Sequence, residues 1–327
     1  MNITTQLDRG KAIALGPLPA GHPAVKTGKI GVMLVNLGTP DGTDKVSMRR
    51  YLKEFLMDTR VIEWPKALWY PILFGIVLNT RPAKSGKAYK EIWNTELNES
   101  PLRTFTRSQG VKLGEALKDH PSVIVDWAMR YGNPSMESVL TRLREQGCER
   151  ILCFPLYPQY AAATTASVND KLFEALLKTR YMPAIRTVPR YHDEPVYIEA
   201  LACSIEKHLA TLDFEPEKVI ASYHGIPKSY FEKGDPYHCH CMKTTRLLRE
   251  RLGWSSEKLI TTFQSRFGPE EWLQPYTDKT VEQLAKDGVK SIAVFNPGFV
   301  ADCLETLEEI AGEAGEIFHH AGGTNFT

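Results

Sequence analysis

Short apolar runs alternate with helical patterns along nearly the whole chain, and that rhythm restricts the fold more than any other property of the sequence. Lys29–Asn36 (K-I-G-V-M-L-V-N), Val123–Ala128, Arg150–Phe154, a weaker run near Ile185, Val219–Ala221, Leu259–Phe263 and Ser291–Phe295 read as buried strands. Ser100-Pro101 supplies an N-cap and a proline at the first helical position, opening a helix to about Leu117. Ser135 starts another helix. Others cover about 167–178, 196–209, 239–252 and 280–287, and a last one starts near Asp302. This alternation predicts an α/β fold of two doubly wound domains with parallel sheets and a cleft between them. The expected divisions are a loose N-terminal arm over 1–27, a first domain over 28–147 and a second over 148–327.

A length of 327 residues is ample for two cores, and a formal charge of +1 gives no general attraction to nucleic acid. The first 26 residues lack the apolar core of a signal peptide, and six cysteines are too few for a disulfide scaffold. Both point to the cytoplasm. Ala67–Leu78 is the longest apolar stretch, too short to span a bilayer and interrupted by Pro71 and Gly75. It reads either as a buried helix or as a hydrophobic lip over a large apolar ligand. In the second case Trp64–Leu78 makes a peripheral contact with the inner face of the cytoplasmic membrane. The loop N-L-G-T-P-D-G (Asn36–Gly42) is not a dinucleotide fingerprint.

Two places carry chemistry. His224 leaves the end of the run K-V-I-A-S-Y-H-G-I-P, where a parallel sheet presents ligands. A capping or core histidine is the ordinary alternative; a proton acceptor or metal ligand is the functional one. Glu305, Glu309 and Glu313 recur at i, i+4 and i+8 and are expected on one helical face. A solvated acidic face explains them plainly, and a cation path explains them functionally. Gly312 and Gly315 leave room for a distorted helix, and Asp302 suits an N-cap.

S-Y-H-G-I-P (222–227), T-F-Q-S-R-F-G-P (262–269) with Trp272, and P-G-F-V-A-D-C-L-E-T-L-E-E (297–309) resemble the ferrochelatase family. So do V-N-L-G-T-P (35–40), A-M-R-Y-G-N-P (128–134) and L-Y-P-Q-Y (156–160). The motifs occur in order from about Gly31 to the end and are most similar to the proteobacterial type, which inserts Fe(II) into protoporphyrin IX. The resemblance implies two flavodoxin-like domains around a porphyrin cleft. It implies that His224 and Glu305 act on the metal and the pyrrole protons, and that Glu309, Glu313 and Asp302 form a proton or iron path. It also implies that Leu37, Arg81, Tyr89, Ser100, Arg130, Tyr131, Ser265, Arg266, Trp272 and Phe299 meet the porphyrin, with Arg81, Tyr89, Ser100, Ser265 and Arg266 at the propionates.

Ferrous iron is then a substrate, and no cofactor is required. Some family members carry a [2Fe–2S] cluster on C-terminal cysteines plus one upstream. Here no cysteine follows Cys303 and the upstream position matches Ala162, which argues against that cluster. The run His238-Cys239-His240-Cys241 is expected in a loop leading into a helix. The family usually continues past T-N-F-T (324–327) with a strand and a helix, so a missing end or a compensating partner surface is expected. A porphyrin carrier, a coproporphyrin enzyme and a Ser222–His224 hydrolase are the alternatives. Retention of both His224 and Glu305 opposes the carrier, and the absence of a G-x-S-x-G elbow opposes the hydrolase.

Overall fold

A computed structural model describes residues 20, 21 and 28–327, so the arm expected over 1–27 lies almost wholly outside the described residues. The strands β1 (Lys29–Thr39), β2 (Val123–Gly132), β3 (Cys148–Pro155) and β4 (Ala184–Thr187) form one parallel sheet in the order β2-β1-β3-β4. The strands β5 (Lys218–His224), β6 (Leu259–Gln264), β7 (Ser291–Phe295) and β8 (Asn325–Phe326) form a second, in the order β6-β5-β7-β8. Counted from its own first strand, each sheet runs 2-1-3-4. That is the doubly wound order, with its switch point between the first and third strands.

Apolar residues cover both faces of each sheet, as all-parallel strands require. In the first, Met33, Val35 and Ile151 pack against Val139, Leu143, Val168 and Leu172, while Val32 and Leu34 fill the other side. In the second, Val219, Ala221 and Tyr223 face Ile198, Ala202, Cys241 and Leu248; Ile220 and Ile292 face Val281, Ile310 and Phe318.

The division expected near Gly147 is corrected by this topology. β3 and β4 hydrogen-bond into the first sheet, and the helix Pro195–Leu209 is the first element packed on the second, so the domains divide between Thr187 and Pro195. Gly38 shows why the loop after β1 needs glycine. Its φ is +115°, and a Cβ there would lie 1.9 Å from the Tyr131 carbonyl oxygen.

Besides the short π turn Ala162–Ala166, two longer helical runs that pack on each other wind irregularly. Lys66–Ile72 passes through a π-helical stretch, Leu73–Val77, into Leu78–Ile92. The final helical run is α over Leu304–Thr306, π over Leu307–Ala314 and α again over Gly315–His320. Pro71 and Pro82 lie inside the first, where they remove backbone donors. The second contains Gly312 in its π stretch and Gly315 just after it, the two glycines at which the sequence leaves room for distortion.

Candidate active site

The carboxyl end of β5 lies opposite that of β6, with His224 paired to Gln264 in the parallel register. His224 is half-buried, and its Nδ1 lies 2.6 Å from the Gly225 carbonyl oxygen. A carbonyl can only accept, so Nδ1 carries a hydrogen, and whenever the ring is neutral its lone pair is on Nε2. Trp272 is buried beside the ring at 6.4 Å between centroids, and Phe267 packs on Trp272 at 4.8 Å. Gly225 permits this approach, since a Cβ there would meet the Gln264 carbonyl at 3.0 Å and Trp272 at 3.1 Å.

Gln264 ties the strand ends to the acidic helix. Its Oε1 accepts from the Ser222 hydroxyl at 2.7 Å and from Asn296 Nδ2 at 2.8 Å. Its Nε2 donates to the Glu305 carbonyl at 2.7 Å and reaches Glu309 Oε2 at 3.4 Å. The Ser265 hydroxyl donates to the same Glu309 oxygen, from a backbone held at φ +65°. Ser222 is fully buried and its hydroxyl is engaged by Gln264 and Thr277, not by His224, which removes the hydrolase arrangement.

The acidic residues sort into two groups. Burial, and then the neighbouring Glu305, push the Glu309 carboxyl above its ordinary range, against hydrogen bonding from Ser265 and the charge of His224. Burial also raises Glu308, followed by repulsion from Glu313 and Glu91. Glu308 and Glu313 are five apart, the hydrogen-bond span of the π-helix. The straight line expected through Glu305, Glu309 and Glu313 thus becomes an inner pair, Glu305 and Glu309, and an outer set including Glu308, with Glu313 exposed. Asp302 is also exposed and accepts the Thr306 hydroxyl at 3.0 Å, a local role at the helix start.

The first domain supplies the opposite wall. Leu304 packs with Leu37, Tyr51 and Tyr89, and burial followed by nearby charges including Glu305 keeps both tyrosines firmly phenolic. Arg81 is exposed and lies 5.7 Å over Phe267, linking the two domains. Arg266 is exposed, paired with Asp278 at 2.9 Å and stacked 4.0 Å over Tyr276. Phe299 is half-buried in the turn after Asn296. Ser100 is buried and caps its helix, accepting from the Arg103 N–H at 3.3 Å.

Arg130 and Tyr131 end β2 in a closed network. The Arg130 guanidinium meets Asp58 and donates to Ser167 Oγ at 2.7 Å; the Tyr131 and Ser167 hydroxyls donate to Asp58 at 2.7 and 2.6 Å. Asp58, Tyr51, Gln264 and Glu308 escape the sequence reading. Gln264 sits inside the T-F-Q-S-R motif and Glu308 directly precedes Glu309; Asp58 has no local signal, because its partner is 72 positions away.

The His238–Cys241 run lies inside the helix Tyr237–Leu252 instead of a loop before it. His240 stacks on His192 at 3.9 Å, and His238 lies 5.8 Å from Phe263. A hollow of about 350 Å³ between Leu209, Phe214 and Trp254 lies by the start of β5, away from His224.

A family model described as Ferrochelatase matches residues 29–327. The chain is 74% identical over 310 residues to a ferrochelatase of Allorhizobium ampelinum, covering 95% of this chain and 90% of that protein. It is 73% identical to one of Rhizobium meliloti, over 93% and 90%, and 69% identical to one of Brucella ovis, over 94% and 87%. Among solved structures, SirB from Bacillus subtilis with Fe3+ aligns over 91% of this chain and 86% of its own, at 13% identity and a TM-score of 0.49, too slight a likeness to carry weight.

Proposed function

This chain belongs to the ferrochelatase family, and we infer that it inserts ferrous iron into protoporphyrin IX, releasing two protons and forming protohaem. The match across residues 29–327 carries this reading. The reaction makes two demands: two pyrrole N–H protons must leave, and a partly dehydrated cation must reach the ring. With Nδ1–H held by the Gly225 carbonyl, His224 presents Nε2 to a pyrrole proton or to iron. We assign the Fe(II) substrate to His224 and Glu305, a donor pair that holds this cation without enclosing it. Burial and the Glu305 charge raise the proton affinity of Glu309, which suits it to receive what His224 takes up. The outward path then runs through Glu308 and Glu313, with Asp302 at its margin.

Leu37, Tyr89, Trp272 and Phe299 provide the flat apolar walls a porphyrin needs. For the propionates we favour Arg81, which lies over Phe267, and Arg266, the residue before Phe267 in the chain; both are exposed cations. The hydroxyls of Ser100 and Ser265 already serve a helix cap and Glu309, so they act as secondary contacts. Arg130 and Tyr131 underlie the ring through their network with Asp58. Leu68 and Ile76 are 62% and 60% exposed, and Phe74 stands near them on Lys66–Val77. This supports a lip that guides the apolar substrate and touches a membrane surface in the cytoplasm. Among the described residues no helix is long and apolar enough to cross a membrane.

Anaerobic incubation with Fe(II) and protoporphyrin IX tests the activity. Haem absorbance growing over many turnovers is expected. Stoichiometric porphyrin binding without haem would identify a carrier instead, and turnover confined to coproporphyrin would change the substrate.

A further inference from the structure

The orientation of the Gln264 amide is fixed by its surroundings. Asn296 Nδ2 is only a donor, so the oxygen of Gln264 must face it, 2.8 Å away, and the Ser222 hydroxyl donates to the same oxygen. The amide nitrogen therefore faces the acidic helix and reaches the Glu305 carbonyl at 2.7 Å. Glu305 belongs to the short α turn Leu304–Thr306, and π winding begins at Leu307. A side chain that enters a helical hydrogen-bond ladder is a physical cause of such a break. Gln264 also lies opposite His224 in the strand register. One side chain thus joins the histidine's strand to the backbone of the carboxylates' helix. The next residue, Ser265, holds a left-handed conformation while its hydroxyl grips Glu309, which fits a position over-determined by its neighbours.

We propose that Gln264 is a positioning residue for metallation: by holding the Glu305 carbonyl it sets the α-to-π transition, and so the directions from which Glu305 and Glu309 face His224. This rests on the reading that Glu305 acts with His224.

Gln264→Glu tests it. The variant keeps an acceptor for Ser222 and Asn296 but turns a carboxylate oxygen toward the Glu305 carbonyl and Glu309. Gln264→Met keeps the length and loses the bonds to Ser222 and Asn296 as well as those to the acidic helix, without adding a charge. The measurements are kcat, porphyrin KM, Tm and amide hydrogen exchange over 304–314. For Gln264→Glu, kcat should fall about ten- to a hundredfold, the range seen when partners of metal-site ligands are replaced. Its porphyrin KM should stay within about threefold, as for a residue that leaves ring binding intact. Exchange should rise in 304–314 and stay unchanged in β5 and β6. Gln264→Met should show the same pattern more mildly. Wild-type kcat in Gln264→Glu, or a kcat loss that follows Tm with exchange in 304–314 unchanged, would overturn the proposal. Glu305→Gln is the control. If it keeps full turnover, the assumed role of Glu305 has failed, and the exchange pattern still decides whether Gln264 sets the winding.

Discussion

The two sheets share one strand order and end in opposite electrostatic conditions. At the end of β2, Asp58 and Arg130 neutralise each other in a pocket where their side chains are 7% and 10% exposed, and Tyr131 and Ser167 complete the hydrogen bonding. At the end of β5, His224 faces a helix bearing Glu305, Glu308 and Glu309, with no arginine or lysine ion-paired to the inner two carboxylates among the described residues. Burial pushes the Asp58 carboxyl up, but hydrogen bonds from Ser167, the Arg60 N–H and Tyr131, with the Arg130 charge, outweigh it and hold it below the ordinary range. Burial and Glu305 push Glu309 the other way. One scaffold therefore holds a closed ionic network that favours the fold and an unneutralised one that is available to a cation and to protons.

The contrast is tested most severely at His224. His224→Ala should lower turnover about a hundredfold or more, the scale of a lost general base. Porphyrin binding, measured by fluorescence titration, should survive, because ring affinity comes mainly from apolar walls. Near-normal turnover would remove His224 from the chemistry and leave both strand ends structural. Asp58→Asn strands the buried Arg130 charge and should cost about 3–5 kcal/mol of stability in a denaturant titration. In the wild type this contribution is present above the ordinary carboxylate range and is lost as pH falls through the lowered Asp58 value. A stable Asp58→Asn protein would break the claim that the first network is structural.

Glu309 should behave with the opposite sign. Its raised folded-state value means that stability is fullest below the ordinary glutamate range and declines as pH rises through that raised value. Glu309→Gln should therefore raise stability at neutral pH while slowing turnover. A loss of stability in thermal melts at neutral pH would show that the charge is compensated after all. Glu313→Gln should change least. The residue is exposed, so turnover within about threefold of wild type and an unmoved Tm are expected. A loss equal to that of Glu305→Gln would move the critical charge outward along the helix.

The strands were legible because a buried parallel strand must be an apolar run, and β1, β3, β5 and β7 are such runs. Sheet membership was not legible. β3 has the same composition whether it joins β1 or begins a new sheet, and the strand–helix rhythm continues unbroken through Gly147. His224 and Glu305 stood out through strand position, helical spacing and motif resemblance. Their setting did not. The π winding depends on a donor reaching in from Gln264, and the Asp58–Arg130 pair joins residues far apart in the chain; neither leaves a periodic trace. The histidine tautomer also depends on the turn at Gly225, which appears in the sequence only as a glycine.

The division after Thr187 also has a temporal consequence for a chain emerging from a ribosome. All four strands of the first sheet, together with Asp58, Arg130 and Ser167, are synthesised before residue 188. That domain has the fully buried residues of its core available, without the later contacts of Val300 and Leu304, while His224, Gln264 and Glu305 have yet to be made, and domains generally fold as units during synthesis. The second sheet waits for β8, whose residues Asn325 and Phe326 pair with Ser291 and Ile292. The wall bearing Leu37, Tyr51 and Tyr89 can thus be in place when the acidic helix arrives. The repelling carboxylates are brought together last, against a surface already formed, so the nascent chain does not have to gather that charge while its first core is still assembling.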